Sequence, residues 1–327
     1  MGYLDMHCDT LLGAGYGEKI DLFENQMAVD WKRMKATGFS GQFYAMCLMP
    51  EDSFQKHGMK KPDDMTFMKT LSNCFYQNLE AHSDIAAFAA NREDLLRNEQ
   101  QGKISCFLSA EDGNGIGGKL EGLEEMYRMG VRMISITWNH ENCLGYPNSF
   151  DADKMALPLK PFGREMIDAM NRMGVIVDVS HLSAGGFWDV VEICKQNHKP
   201  FVASHSNARA MTPHSRNMTD EMIRALAECG GVMGLNYCAS FLSPEIPSRI
   251  SRIDDMVRHL KHIYQVGGID CMGMGGDLDG TFGDLEVNAV EKTPLLFDRL
   301  KKEGFTESEL DKIAYQNVLR VIGETLK

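Results

Sequence analysis

The chain has 327 residues, 43% of them hydrophobic and 24% charged, with a formal net charge of −12 at pH 7. That length and balance fit a folded globular protein and exclude a disordered one, and the acidic excess excludes nucleic acid and anionic membrane surfaces, which reward a basic face. No apolar run approaches the roughly 20 residues of a membrane span, and the start lacks a signal peptide's basic and apolar regions, so a cytoplasmic protein is expected.

Taken in chain order, short apolar runs recur at 2–8 (GYLDMHC), 39–48, 104–110, 131–137, 174–180, 201–205, 231–236 and 271–277. Most are separated by helical patterns, such as 161–174 (PFGREMIDAMNRMG) and 219–230 (TDEMIRALAECG), each closing on a glycine that can cap a helix. Apolar strands alternating with helices predict a parallel sheet covered by helices, and eight such units predict a (β/α)8 barrel of the TIM type. A doubly wound open sheet is the alternative. No linker, low-complexity tract or repeat interrupts the pattern, so residues 1–327 are expected to form a single catalytic domain.

A barrel of this kind carries its chemistry at the C-terminal ends of its strands. His7 and Asp9 fall at the end of the first predicted strand, Glu111 at the third, His181 at the fifth, His205 at the sixth and Asp277 at the eighth. Side chains alternate along a strand, so His7 and Asp9 are expected to face the mouth together while Cys8 points away. Five such ligands exceed what one tetrahedral ion uses while keeping a place for water. Two ions sharing a carboxylate use them naturally, with Glu111 as the bridge, His7 and Asp9 on one ion, and His181 and His205 on the other. Such a pair lowers the pKa of a bridging water and clamps a carbonyl oxygen, which is the equipment for hydrolysing an amide.

Other features read as structural. His57, His82, His198, His259 and His262 are scattered through helical and loop patterns, and the nine cysteines contain no CxxC pair, which predicts reduced and mostly buried thiols. The run GNGIGG at 113–118 matches a dinucleotide-binding pattern. Glu111 and Asp112 just before it would repel a pyrophosphate, and the next strand lacks the ribose-binding acid, so a loop at the barrel mouth is expected instead.

The succession HCDT, SAED, PFGREMIDAMNRMGVIVDVSHLS, FVASHSNARAMTPHSRN and MGGDLDG resembles the membrane (renal) dipeptidase family of zinc metallopeptidases and its bacterial relatives over most of the chain. The most specific piece is DVSH followed by ASHSNAR, with Arg216 eleven residues after the second histidine. The resemblance implies two Zn2+ ions per chain on His7, Asp9, Glu111, His181 and His205, the same five residues reached from the strand ends. It also implies that Arg216 grips a substrate carboxylate or polarises the scissile carbonyl. Asp277 would orient the attacking hydroxide and hold or protonate the substrate amine, with Asp279 a second candidate on the same face.

At the fourth strand the family carries a threonine followed by a histidine, whereas this chain reads SITWNHEN, with Trp138 in that place. His140 is the candidate replacement, and Trp138 a candidate for shaping the substrate pocket. The lysine that carbamylated-lysine amidohydrolases need at this strand end is absent from 131–138. The expectation is a soluble, cytoplasmic binuclear zinc dipeptidase that cleaves L-L and L-D dipeptides by a metal-bridging hydroxide. Its partner is a small dipeptide substrate, with no nucleic acid and no membrane, and a homodimer is the assembly to be tested. The alternatives are a hydrolase of another small amide or lactam on the same centre, and a non-catalytic metal- or substrate-binding protein.

Overall fold

In the computed structural model, which describes residues 2–245 and 248–327, eight parallel strands close into a barrel. They are β1 (Tyr3–Cys8), β2 (Phe39–Cys47), β3 (Ile104–Glu111), β4 (Val131–Ser135), β5 (Ile176–Asp178), β6 (Val202–Ser206), β7 (Val232–Leu235) and β8 (Met272–Met274). Each strand pairs with the next in chain order, and Asp5 of β1 registers with Met274 of β8 to close the ring. The open-sheet alternative is thereby set aside. Strands buried on both faces read as continuous apolar runs, and β3 is buried at every residue.

The connecting helices begin and end where local chemistry dictates. The helix Pro161–Met173 carries proline in its first turn and stops at Gly174, which adopts a left-handed φ of 80°. The helix Asp220–Glu228 is capped by Thr219, whose hydroxyl accepts from the Met222 amide. The helix Ala184–Asn197 is capped likewise by Ser183. Among the described residues no helix is long and apolar enough to cross a membrane.

Two predicted strands are shorter than expected, for one reason: side chains replace ladder partners. The run 174–180 yields only Ile176–Asp178, because the Asp178 carboxylate captures the amides of Ser180 (3.0 Å) and Ser204 (2.8 Å). The run 271–277 yields Met272–Met274, after which Asp5 Oδ2 accepts from the Gly276 amide at 3.0 Å. Gly275 is required here, since a Cβ would lie 1.7 Å from the Ser204 carbonyl oxygen.

Elements the periodicity did not reveal are the strand Ala86–Phe88, which pairs with the start of β3, and a ribbon of Ile250–Ser251 with Asp284–Leu285. In the core, Phe43 stacks on Phe107 with centroids 4.5 Å apart. Met6, Met233, Met272 and Met274 are buried as unbranched gap-fillers.

Candidate active site

The strand ends converge on Glu111. Its Oε1 lies 3.0 Å from His181 Nε2 and 3.3 Å from His205 Nε2, while its Oε2 lies 3.8 Å from His7 Nε2. His7 Nε2 is in turn 3.3 Å from Asp9 Oδ2. One carboxylate oxygen therefore faces the imidazoles of β5 and β6, and the other faces the histidine of β1. All five side chains are buried.

Cys8 is buried on another course, with its thiol donating to the Phe43 carbonyl at 3.6 Å. None of the five histidines read as structural joins the cluster. His259 is a buried core residue, His262 bonds Asp220 at 2.7 Å, His57 stacks on Tyr16, His82 stacks on Phe23, and His198 caps a helix C-terminus.

The imidazoles are held by partners that fix their tautomers. Ser204 Oγ donates to Asp178 Oδ2 at 2.6 Å, so it accepts from His205 Nδ1–H at 2.7 Å and leaves Nε2 bare toward Glu111. Asn139 Oδ1, an acceptor only, lies 3.0 Å from His181 Nδ1 and imposes the same tautomer. His181 and Asp277 have φ values of 69° and 56°, a region that non-glycine residues rarely occupy and that clusters at functional sites. Asn236 Nδ2 donates to Asp277 Oδ2 at 2.9 Å, which leaves Oδ1 toward His7 Nε2 at 3.9 Å.

Three carboxylates, Asp9 and Glu111 buried and Asp277 partly so, crowd this space, and electrostatics shows what they lack. Burial opposes charge on His7, but Glu111 and Asp9 outweigh it and raise its pKa to about 10. Burial likewise opposes ionisation of Glu111, yet His7 and the two facing imidazoles hold its pKa well below the usual range. Burial and the Glu111 charge push Asp9 upward, and burial pushes Asp277 up to about 8. Asp9 Oδ1 is buried with no hydrogen-bond partner. Anionic oxygens, an orphaned carboxylate oxygen and two bare imidazole nitrogens form a donor set that fits divalent cations.

The cluster forms the floor of a cavity of about 870 Å³. Arg216 reaches into it from the loop after β6, buried, with Nη1 donating to Ser206 Oγ (3.4 Å) and Nη2 to the His205 carbonyl (3.2 Å). Its Nε has no partner, and its guanidinium lies 5.4 Å from the Phe241 ring centre. Trp138 lines the cavity, its ring centre 6.4 Å from that of His181. His140 is exposed and does not line the cavity: the chain turns outward after Asn139, and the His140 ring sits beside Trp138 at 5.9 Å. Asp279 borders the cavity, but its two oxygens accept from Thr10 Oγ1 (2.6 Å) and the Ala28 amide (2.7 Å), a tie between the loop after β8 and the loop after β1.

The run GNGIGG forms a 3₁₀ turn, Gly113–Ile116, followed by Gly117 and Gly118 at positive φ, and none of it lines the cavity.

Several residues at the site escaped the sequence reading. Asp178, Ser204, Asn139 and Asn236 orient the groups above. His214 lines the cavity between the Phe150 and Phe241 rings, and burial with Arg216 nearby lowers its pKa to about 4. Cys47, at the end of β2, lies within 4.8 Å of donor atoms of Asp9 and Glu111. The signal for Cys47 was its place at a strand end, level with Glu111.

The closed parallel barrel with carboxylates and imidazoles gathered at its C-terminal mouth defines a metal-dependent hydrolase. The chain belongs to the membrane dipeptidase family, peptidase family M19, whose model matches residues 1–327, and it is a metallo-dipeptidase. It is similar to the solved structure of the dipeptidase AC, a metallopeptidase of family M19, at 25% identity and a TM-score of 0.88, with 100% of this chain and 99% of that one covered. It is similar also to a Rhodobacter sphaeroides metallopeptidase liganded with a phosphinate mimic of the dipeptide L-Ala-D-Ala, at 25% identity and a TM-score of 0.89, with 99% of each chain covered. An uncharacterized protein in the pqqA 5' region of Klebsiella pneumoniae is 30% identical over 261 residues, 76% of this chain and 94% of that protein.

Proposed function

We propose that the chain is a binuclear zinc dipeptidase whose ions are held by His7 and Asp9 on one side and by His181 and His205 on the other, with Glu111 between them. The observation that carries this reading is the division of Glu111, one oxygen toward His7 and the other toward His181 and His205. Bound zinc would supply Lewis-acid polarisation of the scissile carbonyl and activation of water. Arg216, a buried cation with an unpartnered Nε, takes the substrate carboxylate or the carbonyl oxygen. Asp277, held through one oxygen by Asn236, offers the other to the substrate amine and carries a proton there. Trp138, together with Phe150 and Phe241, receives an apolar side chain.

L-D dipeptides are included among the substrates because the Rhodobacter sphaeroides relative was solved with a mimic of L-Ala-D-Ala. The whole of residues 1–327 serves as one catalytic domain, and its nine free thiols support a reducing, cytoplasmic setting. A second reading, hydrolysis of another small amide or lactam, draws on Trp138 and on the exposure of His140, which leaves the family's fourth-strand histidine without a counterpart at that strand end.

The test combines metal analysis with a substrate panel. Purified protein should hold two zinc ions per chain, and Glu111→Ala should lose the second. Chelation should abolish cleavage of L-L and L-D dipeptides, and zinc should restore it. N-acetylated or amidated dipeptides should resist. Cleavage of blocked and free compounds at equal rates would transfer the assignment to the broader amide hydrolase.

A further inference from the structure

Cys47 is a buried thiol at the C-terminal end of β2. Across the β2–β3 ladder it registers with Glu111, and registered residues of neighbouring strands point to the same face, so its Sγ is directed to the mouth rather than to the helix layer. The side chain is buried, and its sulfur lies 3.7 Å from Met49 Sδ and within reach of the Glu111 carboxylate. The ligand atoms of Asp9, Cys47 and Glu111 all lie within 4.8 Å of one another. A tetrahedral zinc holds sulfur and oxygen donors about 3.6 Å apart, so a single ion reaches all three after side-chain movement of about 1 Å. The independent sign of a missing ligand is Asp9 Oδ1, an oxygen of a nine-tenths-buried carboxylate with no hydrogen-bond partner.

We propose that Cys47 is a metal ligand on the His7–Asp9 side of the centre, where its sulfur joins Asp9 and Glu111 and gives that side a preference for thiophilic divalent ions over hard ones. The inference rests on the metal-centre reading above. On binding, the S–H bond breaks, its proton leaves to solvent and a sulfur–metal bond forms, with no change of oxidation state. A sulfur donor selects zinc, cadmium or cobalt over magnesium or manganese, which prefer oxygen. The two halves of the centre would then differ in softness, two imidazoles with one carboxylate oxygen on one side and a thiolate with one imidazole and carboxylates on the other.

Cobalt(II)-substituted full-length protein tests this without reference to turnover. The wild type should show a near-ultraviolet sulfur-to-cobalt charge-transfer band beside the visible d–d bands. Cys47→Ser should lose the first and keep the second, with zinc affinity on that side falling by roughly 10-fold or more. Cys8→Ser and Cys238→Ser, the latter altering another thiol lining the cavity, should keep the band. In case Cys47→Ser does not fold, alkylation of the wild type followed by peptide mapping gives a second readout: zinc, and not magnesium, should protect Cys47. Visible d–d bands without a charge-transfer band, or alkylation of Cys47 indifferent to zinc, would overturn the proposal and leave the metal centre standing. No cobalt uptake at all would overturn both.

Discussion

A guanidinium as buried as Arg216, with Nε unpartnered, costs stability that local contacts do not return. Burial pulls its pKa down, yet arginine stays charged, so the loop after β6 holds a cation in want of an anion. On the proposed function, a dipeptide's carboxylate would supply one. Arg216→Ala should therefore retain zinc while kcat/KM on dipeptides falls by about 2–5 kcal/mol, the range for leaving a buried charge unpaired. Steady-state kinetics with metal analysis checks this, and a near-normal rate would remove Arg216 from substrate binding. At this scale the sequence was informative where one rule sufficed. Strand alternation aligned His7 with Asp9, and the barrel rule put Glu111, His181 and His205 at one mouth. It was silent where an answer depends on strand register, which brings Cys47 beside Glu111, or on the direction of a loop, which turns His140 outward and His214 inward.

Strands β5 and β6 act as a unit through one side chain. Asp178 Oδ1 accepts from the amides of Ser180 and Ser204, and Oδ2 accepts from the hydroxyls of Ser135 (2.5 Å) and Ser204 (2.6 Å). The carboxylate thus extends the short ladder between these strands and, through Ser204, fixes the tautomer of His205. Asp178→Asn replaces an acceptor by a donor, and Ser204 can then no longer be counted on to accept from His205. Zinc affinity should drop about 10- to 100-fold, as for other outer-shell partners, while circular dichroism stays that of the native barrel. Competition against a chromophoric chelator measures the first, and unchanged affinity would refute the relay. The motifs DVSH and ASHSNAR displayed both residues in the sequence, but alternation accounts only for residues within a regular strand. The break at Asp178 hid its role, just as the side-chain contact of Asp5 with Gly276 hid the early end of β8.

Stability of the molecule as a whole has a pH signature set far from the mouth. His259, on the helix Ile253–Gly267, accepts from the Ala208 amide at Nδ1 (3.1 Å) and has Nε2 3.1 Å from the Leu242 carbonyl, which requires the neutral ring. Burial lowers its pKa from 6.5 to about 3. The unfolded chain takes up the proton first, so the stability His259 contributes is complete above its unfolded value and is lost as pH falls toward the folded one. The slope is at most about 1.4 kcal/mol per pH unit. His259→Gln keeps a donor and an acceptor but does not titrate. Urea melts of the two proteins should differ most at neutral pH and converge in mild acid, whereas a gap independent of pH would show that the ring is not titrating on unfolding.

The closure of β1 on β8 also fixes an order in time. A ribosome delivers the chain from its N-terminal side, so N-terminal segments emerge earliest. All five proposed ligand residues, from His7 to His205, emerge before β7 and β8 have been made, and the edge of β1 that will receive Met274 waits unpaired until β8 follows. An exposed edge of that kind invites pairing with another chain. The nascent protein thus owns the proposed metal-binding donor set before it owns the wall that encloses it, and an ion captured at that stage would tie β1 to β3 and to the ends of β5 and β6 while β7 and β8 are still to come.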